Sequence, residues 1–204
     1  MCIRDRIDIQ NGTLTINTNI NNAATNGGAI TIAKTVYGNS DETLTLDAHS
    51  SGTGTISVGP IGAATSQITA INMTANGGIT LNGDIKTSDA GGGIDFNSAV
   101  IIADNTTVTI TTDAGGTDSA IAFDSTLSGI DTTSNAENLV IDSGTGNVTI
   151  SAGSITSTFT GADGTIDMPT KVKYKNEFTS LAAAPAGQFP PVCCCACCGP
   201  SPCG

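Results

Sequence analysis

The body of this sequence, residues 7–170, lacks cysteine, arginine and tryptophan. Without cysteine it forms no disulfides or thiolate metal sites, which is typical of a protein that is exported unfolded and folds outside the cell. Lys34 and Lys86 are its only basic residues, and the whole chain carries a net charge of −11, so it repels phosphate backbones and anionic lipid. This composition disfavours nucleic-acid binding. Because no apolar run reaches about 18 residues, no membrane insertion by this segment is expected.

Both ends of the chain differ from this body. The opening MCIRDR (1–6) resembles the translated read-through of a sequencing adapter, and we expect it not to be native. Alternating lysines at 171–178 indicate a terminal or edge strand that is protected by charge. Residues 179–204 combine an Ala/Pro linker, expected to be disordered, with a Cys-rich tail. We therefore expect the chain to be an internal fragment of a longer protein.

The body consists of short runs in which Val, Ile or Leu alternate with Thr, Asn or Asp. This period of two predicts β-strands, and Asn-Gly, Gly-Gly and Asp-Gly pairs between the runs predict turns. No segment has a helical period long enough to predict a helix. The runs are TLTIN (from Thr13), AITIA (Ala29), TLTLD (Thr43), TISV (Thr55), ITAINM (Ile68), ITLNGDI (Ile79), GIDFNSAVII (Gly93), TVTITT (Thr107), AIAFD (Ala120), LVIDS (Leu139) and NVTIS (Asn147).

An internal echo relates residues 14–58 to residues 108–150. The order LTINTN, GGAITI, TLTLD and TISV in the first stretch returns as VTITTD, SAIAFD, NLVID and NVTI in the second. Leu14 and Val108 lie 94 residues apart, and Leu44 and Leu139 lie 95 apart. Such self-similarity indicates a repeat architecture for residues 7–170.

Two all-β architectures are compatible with this pattern. A string of antiparallel sandwiches predicts a repeat near about 100 residues and several large aromatic core residues. A parallel β-helix has a narrow interior that small β-branched residues fill. The only phenylalanines of the body are Phe96, Phe123 and Phe159, so the sequence favours the β-helix and keeps tandem sandwiches as the alternative. Interior stacks are predicted to include Leu44, Leu46, Ile79, Leu81, Ile94 and Phe96.

Four longer phrases resemble the repeats of filamentous haemagglutinin-like proteins and autotransporter passengers, which are large secreted bacterial surface proteins. They are LTLDAHSSGTGTISVGPIG (from Leu44), ITAINMTANGGITLNGDIKT (Ile68), GGGIDFNSAVIIADNTTVTITTDAGG (Gly91) and LVIDSGTGNVTI (Leu139). The resemblance covers about residues 7–167. It implies a right-handed parallel β-helix, export to the outer-membrane surface, and a role in adhesion.

The residues that could carry chemistry are few. His49, the only histidine, is followed by Ser50 and Ser51, but adjacent residues do not form a catalytic triad, and no G-x-S-x-G elbow occurs. The densest carboxylate group is Asp84, Asp89 and Asp95, which the runner-up function, a β-helix polysaccharide lyase or glycosidase, would need for acid–base work.

Metal sites have little support in the sequence. GGGIDF (Gly91–Phe96) departs from the calcium-solenoid pattern G-G-x-G-x-D because Asp95 is displaced, so calcium is only a weak expectation and no cofactor is predicted. In the tail, two cysteine pairs have C-x-x-C spacing, but no second partner module or histidine follows. These pairs are Cys194/Cys197 and Cys195/Cys198.

A third function class is suggested by threonine pairs of the form T-x-T. In-register threonine ladders on a flat β-helix face can bind ice, but the irregular spacing of these pairs is better explained by the β-propensity of threonine. The pairs are Thr13/Thr15, Thr43/Thr45, Thr107/Thr109 and Thr109/Thr111.

The sequence thus predicts a non-enzymatic adhesive or structural segment of a secreted, cell-surface repeat protein, without catalytic, cofactor-binding or metal-binding residues. Its expected partners are surface glycans or proteins of host or neighbouring cells, and its uncapped ends are expected to associate end to end. Thr, Asn and Asp are predicted to face outward.

Overall fold

The computed structural model describes most of the body of the chain and two short pieces beyond it. The described residues are 7–10, 12–18, 28–39, 42–49, 53–63, 68–88, 92–112, 118–129, 137–151, 166–167 and 172–174. Within these ranges the chain is all-β and contains no helix. The predicted adapter segment 1–6, the tail 179–204 and most of the lysine-rich stretch lie outside the described residues.

Eighteen short strands make up the described chain. They are β1 (Ile7–Asp8), β2 (Thr13–Asn17), β3 (Ile30–Ile32), β4 (Val36–Tyr37), β5 (Thr43–Ala48), β6 (Ile56–Val58), β7 (Ala70–Ala75), β8 (Ile79–Leu81), β9 (Ile85–Lys86), β10 (Gly93–Phe96), β11 (Val100–Ile102), β12 (Thr107–Thr111), β13 (Ile121–Phe123), β14 (Leu127–Gly129), β15 (Asn138–Asp142), β16 (Val148–Ile150), β17 (Ile166–Asp167) and β18 (Val172–Tyr174).

The strands build three walls. Wall 1 has seven strands in the order β18-β16-β13-β10-β7-β5-β2, and wall 2 has five in the order β14-β11-β8-β6-β3. Wall 3 comprises the pair β1-β4 and the set β17-β15-β12-β9, which are joined because Ile61 bridges Val36 on one side and Ile85 on the other. The chain visits the walls in the same order at each turn.

Every strand pairing between described residues is parallel. The prediction of a parallel β-solenoid is therefore confirmed, and the tandem antiparallel sandwich does not describe this chain. Four turns contribute a strand to all three walls, and one further turn completes wall 3 with the Ile61 bridge alone. The turns differ in length, from 21 residues between Ile79 and Val100 on wall 2 to 31 residues between Val108 and Leu139 on wall 3.

The core is a set of stacked apolar columns inside the three walls. Strands of wall 1 bury alternate residues, so that Leu44 and Leu46 are 0% exposed while their neighbours face outward. One inner column places Phe96 on Phe123 with ring centroids 5.0 Å apart and an interplanar angle of 18°. All six interior residues predicted from the sequence are 0% exposed. Each such side chain contributes about 1.5–3 kcal/mol through burial, which makes these columns the main stabilising element.

The corners between walls depend on close backbone packing and on buried hydroxyls. Gly62 has φ +74°, and a Cβ there would lie 2.1 Å from the carbonyl oxygen of Lys86 in the next turn, so only glycine fits. Where wall 3 leads into wall 1, Thr112 Oγ1 donates to the carbonyl of Ser119 at 2.6 Å. One turn later, Ser143 Oγ donates to the carbonyl of Gly146 at 3.0 Å. These bonds satisfy carbonyl oxygens that, because they lie at a corner, do not take part in the hydrogen-bond ladders between strands.

Two runs that the sequence presents as continuous strands bend at a corner. ITLNGDI divides into β8 and β9 around residues 82–84, and GIDFNSAVII divides into β10 and β11 around residues 97–99. The strands β1, β4, β14 and β17 had no counterpart among the predicted runs.

The internal echo relates strands on different walls. LTINTN is β2 on wall 1, but its counterpart VTITTD is β12 on wall 3. Likewise GGAITI contains β3 on wall 2 and SAIAFD contains β13 on wall 1. The structural repeat is the single turn, and the longer echo is displaced by one wall relative to it.

Candidate functional site

The most extended regular surface of the described chain is the outer face of wall 1. Because strand residues alternate, every second residue of this wall points to solvent, and the parallel register stacks these residues into columns along the solenoid. The central column runs Thr15, Thr45, Asn72, Asp95, Ala122 and Thr149. A second column, two residues further along each strand, runs Asn17, Asp47, Thr74, Asn97 and Asp124.

Hydrogen bonds between side chains connect these columns from turn to turn. Asn97 Nδ2 donates to Asn72 Oδ1 and to Thr74 Oγ1, both at 3.1 Å. Asn17 Nδ2 donates to Asp47 Oδ2 at 3.0 Å. These bonds lie at the exposed surface, so each adds little stability, but together they fix the orientation of the outer side chains. The outer face is thus an ordered array of amide, carboxylate and hydroxyl groups.

The charge on this face is negative and comes from Asp47, Asp95 and Asp124. Neighbouring turns shield part of the Asp95 carboxylate from water, and the nearby charge of Asp124 adds repulsion, so both effects raise the pKa of Asp95 above 3.8. No basic side chain belongs to the described columns from β2 to β16. This face is suited to contacts with hydroxyl-rich or cationic partners.

The threonine pairs predicted as an ice-binding alternative form a small array. Thr13 stacks on Thr43 and Thr15 on Thr45, which gives two adjacent turns with the same pair on wall 1. In the next turn the corresponding positions are Ala70 and Asn72, so the array ends there. The remaining pairs, Thr107/Thr109 and Thr109/Thr111, lie on wall 3.

The carboxylate group that a polysaccharide-cleaving enzyme would require is divided between two walls. Asp84 precedes β9 on wall 3, where its Oδ1 accepts a bond from the backbone N–H of Thr109 at 2.9 Å and its Oδ2 lies 3.6 Å from Lys86 Nζ. Asp95 lies in β10 on wall 1, and Asp89 lies outside the described residues. Asp84 therefore fastens consecutive turns together and is not placed beside Asp95.

His49 lies in an exposed turn after β5. Its backbone N–H donates to Asp47 Oδ1 at 2.8 Å. This is an Asx turn, in which an aspartate side chain accepts a hydrogen bond from the backbone two residues later. The neighbouring Ser50 and Ser51 fall outside the described residues. The described residues thus place His49 in an exposed turn, as the sequence predicted.

The residues with a described position contain no group of three or more His, Cys, Asp or Glu side chains close enough to hold a metal ion. None of their segments is a helix long and apolar enough to cross a membrane. The cysteine pairs of the tail lie outside these ranges.

Two buried glutamates were not singled out by the sequence. Glu42 is 1% exposed and accepts a bond at Oε2 from the backbone N–H of Asn39, at 2.5 Å. Glu137 is 0% exposed and accepts a bond at Oε1 from the backbone N–H of Asn105 at 3.4 Å, while its Oε2 has no hydrogen-bond partner. Each precedes a strand in one half of the echo, at E-T-L and E-N-L, and that recurrence was the available signal.

These glutamates organise corners, and the outer face of wall 1 presents polar groups to solvent. The outer face of wall 1 can therefore form many hydrogen bonds, in a fixed geometry, along the length of the solenoid. Comparison of the chain with protein-family models, with curated proteins and with solved structures returned no match.

Proposed function

We propose that this chain is a structural and adhesive segment of a large secreted or cell-surface bacterial repeat protein. The observation that carries the proposal is the outer face of wall 1, where ordered polar columns continue over successive turns of a stacked solenoid. A surface of this kind can contact its partner through several turns of the solenoid at once. The partners are surface glycans or proteins of host or neighbouring cells.

The mechanism is multivalent contact by a stiff body. A single Asn or Thr on an exposed face contributes little to binding, because it exchanges a bond with water for a bond with the partner. When several such groups are fixed in one array, the later contacts become intramolecular, and overall avidity can exceed each separate affinity by about 100-fold or more. The stacked ladders and apolar columns supply the stiffness that this effect requires.

Location at the cell surface is part of the same proposal. A body without cysteine folds without disulfide chemistry, and a solenoid adds one short turn at a time, which suits passage through a membrane in extended form followed by folding outside. The resemblance of residues 7–167 to exported bacterial repeat proteins supports the same location.

The test compares two variants that change different walls by the same charge. In the first, Thr45→Lys and Ala122→Lys alter the central outer column of wall 1. In the second, Thr31→Lys and Ile101→Lys alter the outer positions of wall 2 with the same spacing of three turns. Each protein is coupled to beads at high density, and binding to bacterial and epithelial cells and to a glycan array is measured.

The proposal predicts that beads carrying the unchanged chain bind, that soluble monomer binds far more weakly, and that the wall 1 variant loses binding while the wall 2 variant keeps it. Absence of bead binding, or equal loss in both variants, would contradict it. The lyase or glycosidase interpretation stays a prediction with its own readout. Release of cleaved product from an acidic polysaccharide, abolished by Asp84→Ala, Asp89→Ala or Asp95→Ala, would replace the adhesive proposal.

A further inference from the structure

The corner between β8 and β9 contains Asn82 followed by Gly83, a pair whose chemistry the proposed function does not use. In such a pair the backbone nitrogen of the glycine can attack the side-chain amide carbon of the asparagine, because glycine has no Cβ to hinder the approach. Ammonia then leaves, and the asparagine becomes aspartate or isoaspartate. A second pair of described residues, Asn76-Gly77, lies at the turn between β7 and β8.

The side chain of Asn82 is held by the preceding turn of the solenoid. Its Nδ2 donates to Ser57 Oγ at 3.0 Å and to the carbonyl oxygen of Val58 at 3.2 Å. Because a carbonyl oxygen can only accept, the group that faces Val58 is the amino group, and these two bonds fix the orientation of the amide. The Gly83 N–H donates to no described residue. The amide that would be attacked is therefore held, whereas the attacking nitrogen is not.

The backbone of this corner is confined by the turns on both sides. A Cβ added at Gly83 would lie 2.7 Å from Pro60 Cγ, so the chain passes directly over the proline ring of the preceding turn. Towards the following turn, Asp84 Oδ1 accepts a bond from the Thr109 N–H at 2.9 Å. The pair can therefore reach the geometry of attack only when the corner opens locally, which makes the reaction dependent on the free energy of that opening.

At the second pair the neighbouring turn holds the other reaction partner. Asn76 is exposed, and its side chain forms no hydrogen bond with a described residue. The Gly77 N–H, however, donates to the carbonyl oxygen of Gly54 at 2.7 Å, which makes this nitrogen harder to deprotonate and directs it away from the asparagine side chain. All the groups that hold the two pairs through hydrogen bonds belong to residues 54–58, in the turn that contains β6.

We propose that Asn82 and Asn76 are sites of spontaneous deamidation, which the stacking of the β6 turn on the β8 turn keeps unreacted. When these turns separate, the Gly83 nitrogen bonds to Asn82 Cγ, the Cγ–Nδ2 bond breaks, and the proton lost by the glycine nitrogen leaves with the ammonia. A water molecule then opens the cyclic imide. Hydrolysis at Cγ gives aspartate, and hydrolysis at the main-chain carbonyl gives isoaspartate. The same steps apply to Asn76 and Gly77.

The product at Asn82 cannot restore the contact that it replaces. A carboxylate has no hydrogen to donate to the Val58 carbonyl, and it places a negative charge beside that oxygen and two residues from Asp84. The isoaspartate form also lengthens the backbone at the corner that packs on Pro60. Modification therefore makes a transient separation of the turns permanent. The aspartate form of Asn76 costs less, because that side chain forms no such contact.

The experiment incubates the full chain in mildly alkaline buffer and measures deamidation at each site by peptide mapping, with tandem mass spectrometry that distinguishes aspartate from isoaspartate. The variant is Ser57→Ala, which removes one of the two hydrogen bonds from Asn82 Nδ2. The matched control is Ser128→Ala, the same substitution in the same outer column of wall 2, three turns away. The parent chain in urea gives the rate at each site without the fold. Far-UV circular dichroism verifies that each variant folds.

We expect Ser57→Ala to accelerate deamidation at Asn82 by about two- to tenfold, the factor that one lost hydrogen bond gives, and to leave Asn76 within about twofold. Ser128→Ala should change neither rate, and urea should accelerate both sites. Asn82→Asp should lower the melting temperature more than Asn76→Asp does. Folded-state rates that equal those in urea would overturn the proposal. So would an Asn82 rate that Ser57→Ala leaves unchanged or that Ser128→Ala raises equally, or equal melting shifts for the two aspartate variants.

Discussion

The inner and outer faces of wall 1 are made by the same strands, yet residue type is far more uniform along the inner face than along the outer face. At the end of β10 the consecutive residues Asp95, Phe96 and Asn97 are exposed, fully buried and exposed. Along the inner column, apolar residues repeat at every described turn: Leu46, Met73, Phe96, Phe123 and Ile150. Along the neighbouring outer column the residue type changes at nearly every turn, from threonine to asparagine, aspartate and alanine.

The difference follows from what each residue contacts. An inner side chain packs on the corresponding residues of the turns above and below, so its size and polarity are restricted by both neighbours. An outer side chain contacts water and, at some positions, one or two hydrogen-bond partners in an adjacent turn. The inner face therefore specifies the solenoid, and the outer face is free to carry the surface on which binding depends.

The largest effect expected from this comparison is at Phe96. Phe96→Ala removes a ring that stacks on Phe123 and leaves a cavity inside the solenoid, so the free energy of unfolding should fall by about 3–5 kcal/mol. Urea unfolding followed by circular dichroism measures this. Phe96→Leu, which keeps most of the apolar volume, should lose clearly less. A loss below about 1 kcal/mol for Phe96→Ala would mean that the inner columns are not tightly packed.

A second prediction concerns a residue that belongs to neither face. Gly62→Ala at its corner forces a methyl group against the Lys86 carbonyl and a side chain into positive φ, so we expect a loss of about 1–3 kcal/mol. Gly28→Ala is the matched control, because its added Cβ meets only the Thr18 side chain at an ordinary 3.5 Å and its φ is not positive. Equal thermal melting shifts for the two variants would contradict the corner geometry.

A smaller effect is expected on the outer face of the same strand. Asn97→Ala removes two exposed hydrogen bonds, to Asn72 and Thr74, so the free energy of unfolding should fall by about 0.5 kcal/mol. Asn97→Asp should lose at least as much, because it lacks both donors and adds a charge facing the Asn72 oxygen. The same urea experiment measures both. A loss as large as that of Phe96→Ala would remove the distinction between the faces.

The smallest prediction is a pH dependence at Asp95. Its pKa in the folded chain is raised above 3.8, so the fold disfavours its ionised form. The resulting penalty is present above the folded pKa and is lost as pH falls through the folded pKa towards 3.8. Because Asp95 is exposed, solvent screening keeps the effect small. Asp95→Asn should stabilise the chain at pH 7 by no more than about 0.5 kcal/mol, with no gain below pH 3.8.

Melting curves of Asp95→Asn and of the parent chain across this pH range decide the point. Asp124→Asn should act in the same direction but less strongly, because the charge of Asp124 is the lesser of the two causes. A gain from Asp95→Asn that persists undiminished at acid pH would show that the effect does not arise from ionisation.

The alternation of residues predicted the inner face of the solenoid but could not predict its corners. In ITLNGDI the buried residues Ile79, Leu81 and Ile85 are separated by even numbers of positions, although a corner intervenes between Leu81 and Ile85. The same holds in GIDFNSAVII from Ile94 to Ile102. Each corner has three residues, an odd number, so the period of two keeps its phase around the bend. Periodicity alone therefore cannot distinguish one bent run from one long strand.

The outer columns depend on register, which the sequence does not display. The turns vary from 21 to 31 residues. The contacts of Asn97 with Asn72 and of Thr15 with Thr45 are therefore known only from the register of the folded strands. The echo was similarly ambiguous, because every wall requires the same alternation and a phrase does not specify its wall. For the same reason Asp84 and Asp95, close in sequence, could not be assigned to different walls in advance.

The most direct test of the stacked solenoid is a distance series along the central outer column of wall 1. Spin labels are placed at Thr45 and Thr149, and at Thr15 and Thr149, in a chain whose seven cysteines are replaced by serine, and electron–electron distances are measured by pulsed dipolar spectroscopy. The residues of each pair are four and five turns apart. At one strand spacing per turn, the expected backbone distances are about 19 Å and about 24 Å. Distances that do not increase by about one strand spacing from the first pair to the second would contradict the parallel solenoid.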